Sequence, residues 1–122
     1  MTQEDKALLL KDLCARLPYR TKVRRYRYTT PIDSIQSVEL LGLGWLEELY
    51  GEEAEFKPHL FPLSSMTEEQ SKVYHELIKG MFGTSALINF EVLTDFFNSN
   101  HLDFRGLIKM GLAIDATGLN IY

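Results

Sequence analysis

Lys22–Thr30 narrows the folds open to this chain more than any other stretch. It alternates like a strand, while the segments toward both ends repeat like helices. It is rich in β-branched and aromatic residues, which suit a pleated surface. Alternation puts Arg24, Tyr26 and Tyr28 on one side and Val23, Arg25 and Arg27 on the other. The tyrosine side is expected to face the core, leaving Arg25 and Arg27 outward. Pro31-Ile32-Asp33-Ser34 reads as a turn, and a second strand over Ile35–Leu41 is expected to return antiparallel on the first. Strands gathered in mid-chain argue against parallel βαβ topology. The expected fold is therefore α+β. A small antiparallel sheet of two to five short strands packs with an N-terminal helix and two C-terminal helices.

The helices announce themselves by capping and period. Thr2 with Asp5 resembles a helix start, and Ala7, Leu10, Leu13, Cys14 and Leu17 recur at three- and four-residue spacing. Pro18 ends that helix, giving Gln3–Arg16. Thr67 and Gln70 have the capping-box spacing, followed by Val73, Tyr74, Leu77, Ile78 and Met81, with Gly80 or Gly83 as the stop. A further helix covers Phe90–Phe97, with Asn98-Ser99-Asn100 as its exit. Phe104–Met110 can form a turn or two closed by Gly111, and residues 112–121 a short hairpin or single strand. Trp45–Tyr50 fits a helical turn or a third strand, and Gly51–Glu55 reads as an acidic loop. Pro58 and Pro62 make Phe56–Leu63 extended and at best an edge strand.

The 122 residues amount to one domain, 1–122, able to bury about two thirds of its unfolded surface. Hydrophobic content of 45% and charged content of 25% argue against disordered and fibrous classes. The single Cys14 cannot form an intrachain disulfide. It is expected to be a buried thiol in a reducing compartment, the alternative being a reactive cysteine near Arg16. Residues 1–6 carry acids before any apolar run, the reverse of a signal peptide, and Ala7–Leu10 is too short to span a membrane. The expectation is a soluble, cytoplasmic protein with no membrane partner.

Charge is strongly segregated. Six of the 13 Lys and Arg residues, Arg16, Arg20, Lys22, Arg24, Arg25 and Arg27, lie within twelve positions without an acid among them. Glu47, Glu48, Glu52, Glu53 and Glu55 follow without a base, so the net charge of −4 hides local fields. Either the two patches bind each other, or one is held out for a partner. Arg20, Lys22, Arg24, Arg25 and Arg27 with Tyr26 and Tyr28 are the candidate partner-binding set. Cations neutralise phosphates and rings stack on unpaired bases, so an acidic protein or a nucleic acid is the expected partner class. The pI of about 5.3 argues against nucleic acid as the main ligand.

Other constellations are weaker. His101, Asp103 and Arg105 are the densest group of catalytic residue types, the alternative being a small hydrolase-like enzyme. Arg105 is otherwise expected to pair with Asp103 or hold a helix C-terminus. His59, His75 and His101 are too scattered for a metal site, and Gly42-Leu43-Gly44 lacks the rest of a nucleotide loop, so neither metal nor cofactor is expected. Trp45, Tyr50, Phe56 and Phe61 form a secondary interaction patch or complete the core. A symmetric dimer through an edge strand or this patch stays open.

Three stretches carry a resemblance: LLLKDLCARLPY at Leu8–Tyr19, KPHLFPLSSMTEE at Lys57–Glu69 and DFFNSNHLDFRGLI at Asp95–Ile108. Together they resemble a family of small proteins encoded by bacterial genomes and their phages or mobile elements. The resemblance implies a cytoplasmic accessory gene product, a regulator or interactor more than a metabolic enzyme. With no activity assigned to that family, it carries over no catalytic or binding residue. Thr29–Ala54 is the segment expected to differ from those relatives.

Overall fold

A computed structural model describes residues 1–28, 32–42, 44–80 and 86–122. The order is α1 (Gln3–Ala15), β1 (Lys22–Arg27), β2 (Ile32–Ser37), α2 (Trp45–Tyr50), β3 (Ala54–Leu60), α3 (Glu68–Gly80), α4 (Ala86–Ser99) and β4 (Ile114–Asp115). The α+β class and the mid-chain sheet are as expected. The sheet order is β2-β1-β3-β4, antiparallel except where the two-residue β4 joins β3 in parallel. Trp45–Tyr50 is helical, which places Glu47 and Glu48 on α2, while Ala54 and Glu55 already belong to β3. Residues 119–121 form no strand. Gly83, Met81 and Thr29-Thr30-Pro31, invoked above as helix stop, helix face, strand end and first turn residue, lie outside the described residues. Ile32, Asp33 and Ser34, expected in the turn, already pair in β2, which ends at Ser37 and not at Leu41.

Both capping boxes close reciprocally. Thr2 Oγ1 accepts from Asp5 N–H and Asp5 from Thr2 N–H, while Thr67 and Gln70 do the same at α3. On α1 the buried face is not the expected one. Leu9 and Leu13 are buried together with Lys6, Asp12 and Arg16, whereas Ala7, Cys14 and Leu17 are exposed. The apolar spacing pointed one step round the helix from the true inner face, because three charged residues on that face find partners within the fold. Cys14 is thus a surface thiol and supplies no core contact.

Pro58 also departs from expectation, since β3 lies inside the sheet between β1 and β4. The bond from Tyr28 N–H to Glu53 C=O (3.1 Å) sets the ladder's phase. In the β1–β3 register the backbone groups of Glu55 and Lys57 then face β1, and those of Ala54, Phe56 and Pro58 face away. The missing proline N–H therefore falls on the β4 side, where pairing begins only at His59.

α1, α2 and the turn after β2 cover one side of the sheet, where Leu9, Leu13, Val23, Val38, Leu41, Leu49, Ala54 and Phe56 form a core with Trp45 against it. A second cluster gathers Leu60, Leu107, Leu112 and Ala113, and a third packs Leu93, Phe97 and Leu102 with Tyr74 and Leu77 of α3.

Candidate binding surface

The strand that carries the basic run shows its two faces in the opposite sense to the alternation argument. Val23 is buried, Arg25 lies opposite Phe56 and Arg27 opposite Ala54, both of those partners being buried. The Val23–Arg25–Arg27 side therefore faces the helices. The Tyr26–Tyr28 side faces out, with Tyr28 55% exposed. An arginine can occupy the inner side because Glu48 of α2 meets it. Arg25 Nε donates to Glu48 Oε2 at 3.0 Å, its Nη2 donates to Oε1, and Arg27 Nη2 reaches Oε1 at 3.1 Å. The Arg25 guanidinium also lies over the Phe56 ring at 5.9 Å.

The acidic run thus does bind the basic strand, through one glutamate above all. Of the seven candidate residues, Arg25 (side chain 21% exposed) and Arg27 (36%) are held by this clamp on the inner side. Arg24 pairs with Asp33 through two hydrogen bonds (2.9 and 2.8 Å), and Lys22 Nζ donates to Ser37 Oγ at 3.2 Å. Arg20 stands before the strand, exposed, in a left-handed turn (φ 54°).

The outer side of the sheet is built in cross-strand rows. Ile35, Arg24 and Lys57 form one, and Asp33, Tyr26 and Glu55 the next. Ion pairs stitch the rows: Arg24 diagonally to Asp33, and Lys57 along β3 to Glu55 at 2.8 Å. Tyr26 and Tyr28 meet edge to face at 5.5 Å, and the Tyr28 hydroxyl donates to Glu55 at 2.8 Å. That bond, together with burial and the negative charge of Glu55, raises the phenol's pKa, so the hydroxyl stays protonated. Lys57, then Tyr28, hold Glu55 below the usual carboxylate range against its desolvation. A recess of about 230 Å³ is lined by sheet residues alone: Arg24, Tyr26, Tyr28, Glu55 and Lys57. Through Tyr28, Glu55 and Lys57 it adjoins a cleft of about 560 Å³, walled by Lys6, Glu52, Met110 and Leu112 among others. Lys6 donates to Glu52 at 3.2 Å there. Sequence spacing alone does not find Ile35, Asp33, Glu55 and Lys57, because they join the face only through register.

The other candidates resolve differently. Asp103 accepts from the N–H groups of Leu107 (2.8 Å) and Ile108 (2.9 Å), pinning the turn that follows. Arg105 pairs with neither Asp103 nor a helix end but with buried Asp12 at 2.7 Å, which also accepts from Arg16 Nε at 2.9 Å. His101 stacks on Tyr122 (3.9 Å between ring centres) and lies 3.1 Å from Thr21 Oγ1. Burial, reinforced by the Arg16 charge, lowers its pKa to about 4, so the ring is neutral near pH 7. The three side chains of the proposed catalytic group thus serve three separate structural attachments. In the aromatic patch, Phe56 is core, with Trp45 edge to face upon it at 5.9 Å, whereas Phe61 packs elsewhere, beside Tyr122. Only Tyr50, 40% exposed, is a surface residue.

Tyr122 itself had no sequence signal. Its hydroxyl accepts from Lys22 N–H (2.8 Å) and donates to His59 C=O (2.7 Å), bridging β1 and β3 where the ladder ends. Among the described residues no group of three or more His, Cys, Asp or Glu side chains is arranged to hold a metal ion, and no helix is long and apolar enough to cross a membrane. Comparison with protein-family models, curated proteins and solved structures finds no match.

Proposed function

We propose that this protein is a non-enzymatic interaction module that docks a protein partner on the outer face of its sheet. The observation that supports this reading most is the exposure of Tyr28 (55%) and Ile35 (53%) on a face where β1 lies between two neighbours. Large exposed apolar and aromatic groups beside arginine on an uncovered sheet face are the usual anchors of interfaces. The docking set is Arg24, Tyr26, Tyr28, Ile35 and Lys57, and not the inner Arg25 and Arg27. Arg24 and Lys57 each have a carboxylate partner already, which weakens the field a polyanion would follow and favours a protein over a nucleic acid. The context is that of a cytoplasmic accessory protein of a bacterial genome or mobile element, a reading that rests on the three stretches quoted above.

The test is affinity capture from the native host with wild type and with Arg24→Ala/Tyr28→Ala as baits. Loss of the wild-type partners with the double variant, which should stay folded, is the expected result. Recovery of the same partners by both baits overturns the assignment. Capture of single-stranded nucleic acid, with affinity falling steeply as salt rises, would replace the protein partner by a polyanion.

A further inference from the structure

Among the described residues β2 is an outer strand of the sheet, with no strand paired on its far side. Val38 N–H donates to Thr21 C=O at 2.8 Å, which phases the β1–β2 ladder. In that register the backbone groups of Ser34 and Gln36 face β1, and those of Asp33 and Ile35 face outward. Ile35 is 53% exposed, and the Asp33 side chain 51%. Natural edges are usually protected by lysine, proline, a bulge or a covering segment. Residues 32–37 contain no lysine, proline or glycine, and their one charge, Asp33, is tied to Arg24. Ser37, by contrast, is only 8% exposed, so the accessible edge is centred on Ser34.

We propose that β2 pairs antiparallel with β2 of a second copy of this chain, about a two-fold axis at Ser34. Asp33 of each copy then faces Ile35 of the other, and their outward N–H and C=O groups satisfy one another. Self-pairing is favoured over a foreign strand because the edge complements itself. Ser34, small and neutral, opposes its own copy at the axis. Ile35 stands beside Arg24 on its own β1, so each Asp33 approaches the other copy's Arg24 across Ile35, and acid and base alternate with no like charges opposed. The two outer faces would join into one wide platform, so this inference goes beyond the docking face in setting its stoichiometry.

Light scattering after size exclusion, over a concentration series, combined with amide hydrogen exchange, tests it. Wild type should show the mass of two chains, falling toward one on dilution. The Asp33 and Ile35 amides should be protected only where the dimer is populated, and those of Ser34 and Gln36 at every concentration. Ile35→Pro removes only an outward N–H, and Ile35→Lys adds the charge natural edges use. Each should weaken the dimer about tenfold or more with an unchanged circular dichroism spectrum. If Ile35→Pro misfolds, Ile35→Lys carries the test. A single-chain mass throughout, a dimer that both variants leave intact, or a dimer without protection at Asp33 and Ile35 overturns the proposal. A monomer that still captures a partner through Tyr28 overturns this inference alone, and a dimer that captures nothing overturns only the docking role.

Discussion

His101 shows how one residue of catalytic type becomes a structural fitting. Its backbone adopts φ 56°, in the left-handed region, and its ring is sandwiched into contact with Tyr122 and Thr21. Protonation must overcome burial and the nearby Arg16 charge, which lower the pKa from 6.5 to about 4. The unfolded chain therefore binds this proton more readily than the folded one. The stabilisation is fully present above pH 6.5 and is lost as the pH falls toward 4. With the shift discounted for solvent screening at this half-buried ring, urea unfolding at a series of pH values should show His101→Phe, which keeps a ring against Tyr122, losing about 2 kcal/mol less than wild type between neutral and acid conditions. Parallel pH profiles for the two proteins would show that this imidazole does not titrate between the states.

Within β1, neighbouring arginines have opposite roles because they lie on opposite sides of one strand. The Arg24 side chain is 45% exposed and its partner Asp33 51%, a setting in which an ion pair contributes only about 0.2–1 kcal/mol. Arg25 is 21% exposed, and Glu48 13%. Removing Arg25 leaves a largely desolvated carboxylate with Arg27 as its remaining partner and strips the cover from Phe56. Thermal or urea unfolding should find Arg25→Ala destabilised by about 2 kcal/mol and Arg24→Ala by under about 1 kcal/mol. Equal effects would mean that the inner and outer sides of β1 are wrongly assigned. The same contrast decides which arginines are suitable for probing binding: altering Arg25 disturbs the fold, altering Arg24 only the surface.

At the scale of the molecule, the N-terminal helix is anchored to the chain's far end by buried charge. Asp12, fully buried, receives Arg16 from its own helix and Arg105 from the loop after α4, while Arg16 Nη2 donates to Leu102 C=O at 2.7 Å. A buried ion pair adds little over a well-packed apolar one, but losing one member is costly. Asp12→Ala should lower unfolding stability by about 3–5 kcal/mol, enough to threaten folding of a domain this size. A loss below about 1 kcal/mol in denaturant titration would show that these charges are solvated in the folded protein.

Capping boxes, the proline-terminated first helix and the alternating mid-chain strand were all legible in the residues, because each depends on bonds within a few positions. The α+β class followed from their order. What could not be read was the side each element turns inward. On α1 the buried charges Lys6, Asp12 and Arg16 mimic a solvent face until Glu52, Leu102 and Arg105 are brought to them from distant parts of the chain. On β1 the tyrosines look like core until Glu48 arrives on α2 to pair with both Arg25 and Arg27. Local pattern reports hydrophobicity, whereas burial of a charge is settled by a partner far away in sequence. Only the tertiary structure supplies that partner, and with it the decision that Tyr28 and Ile35 face the solvent.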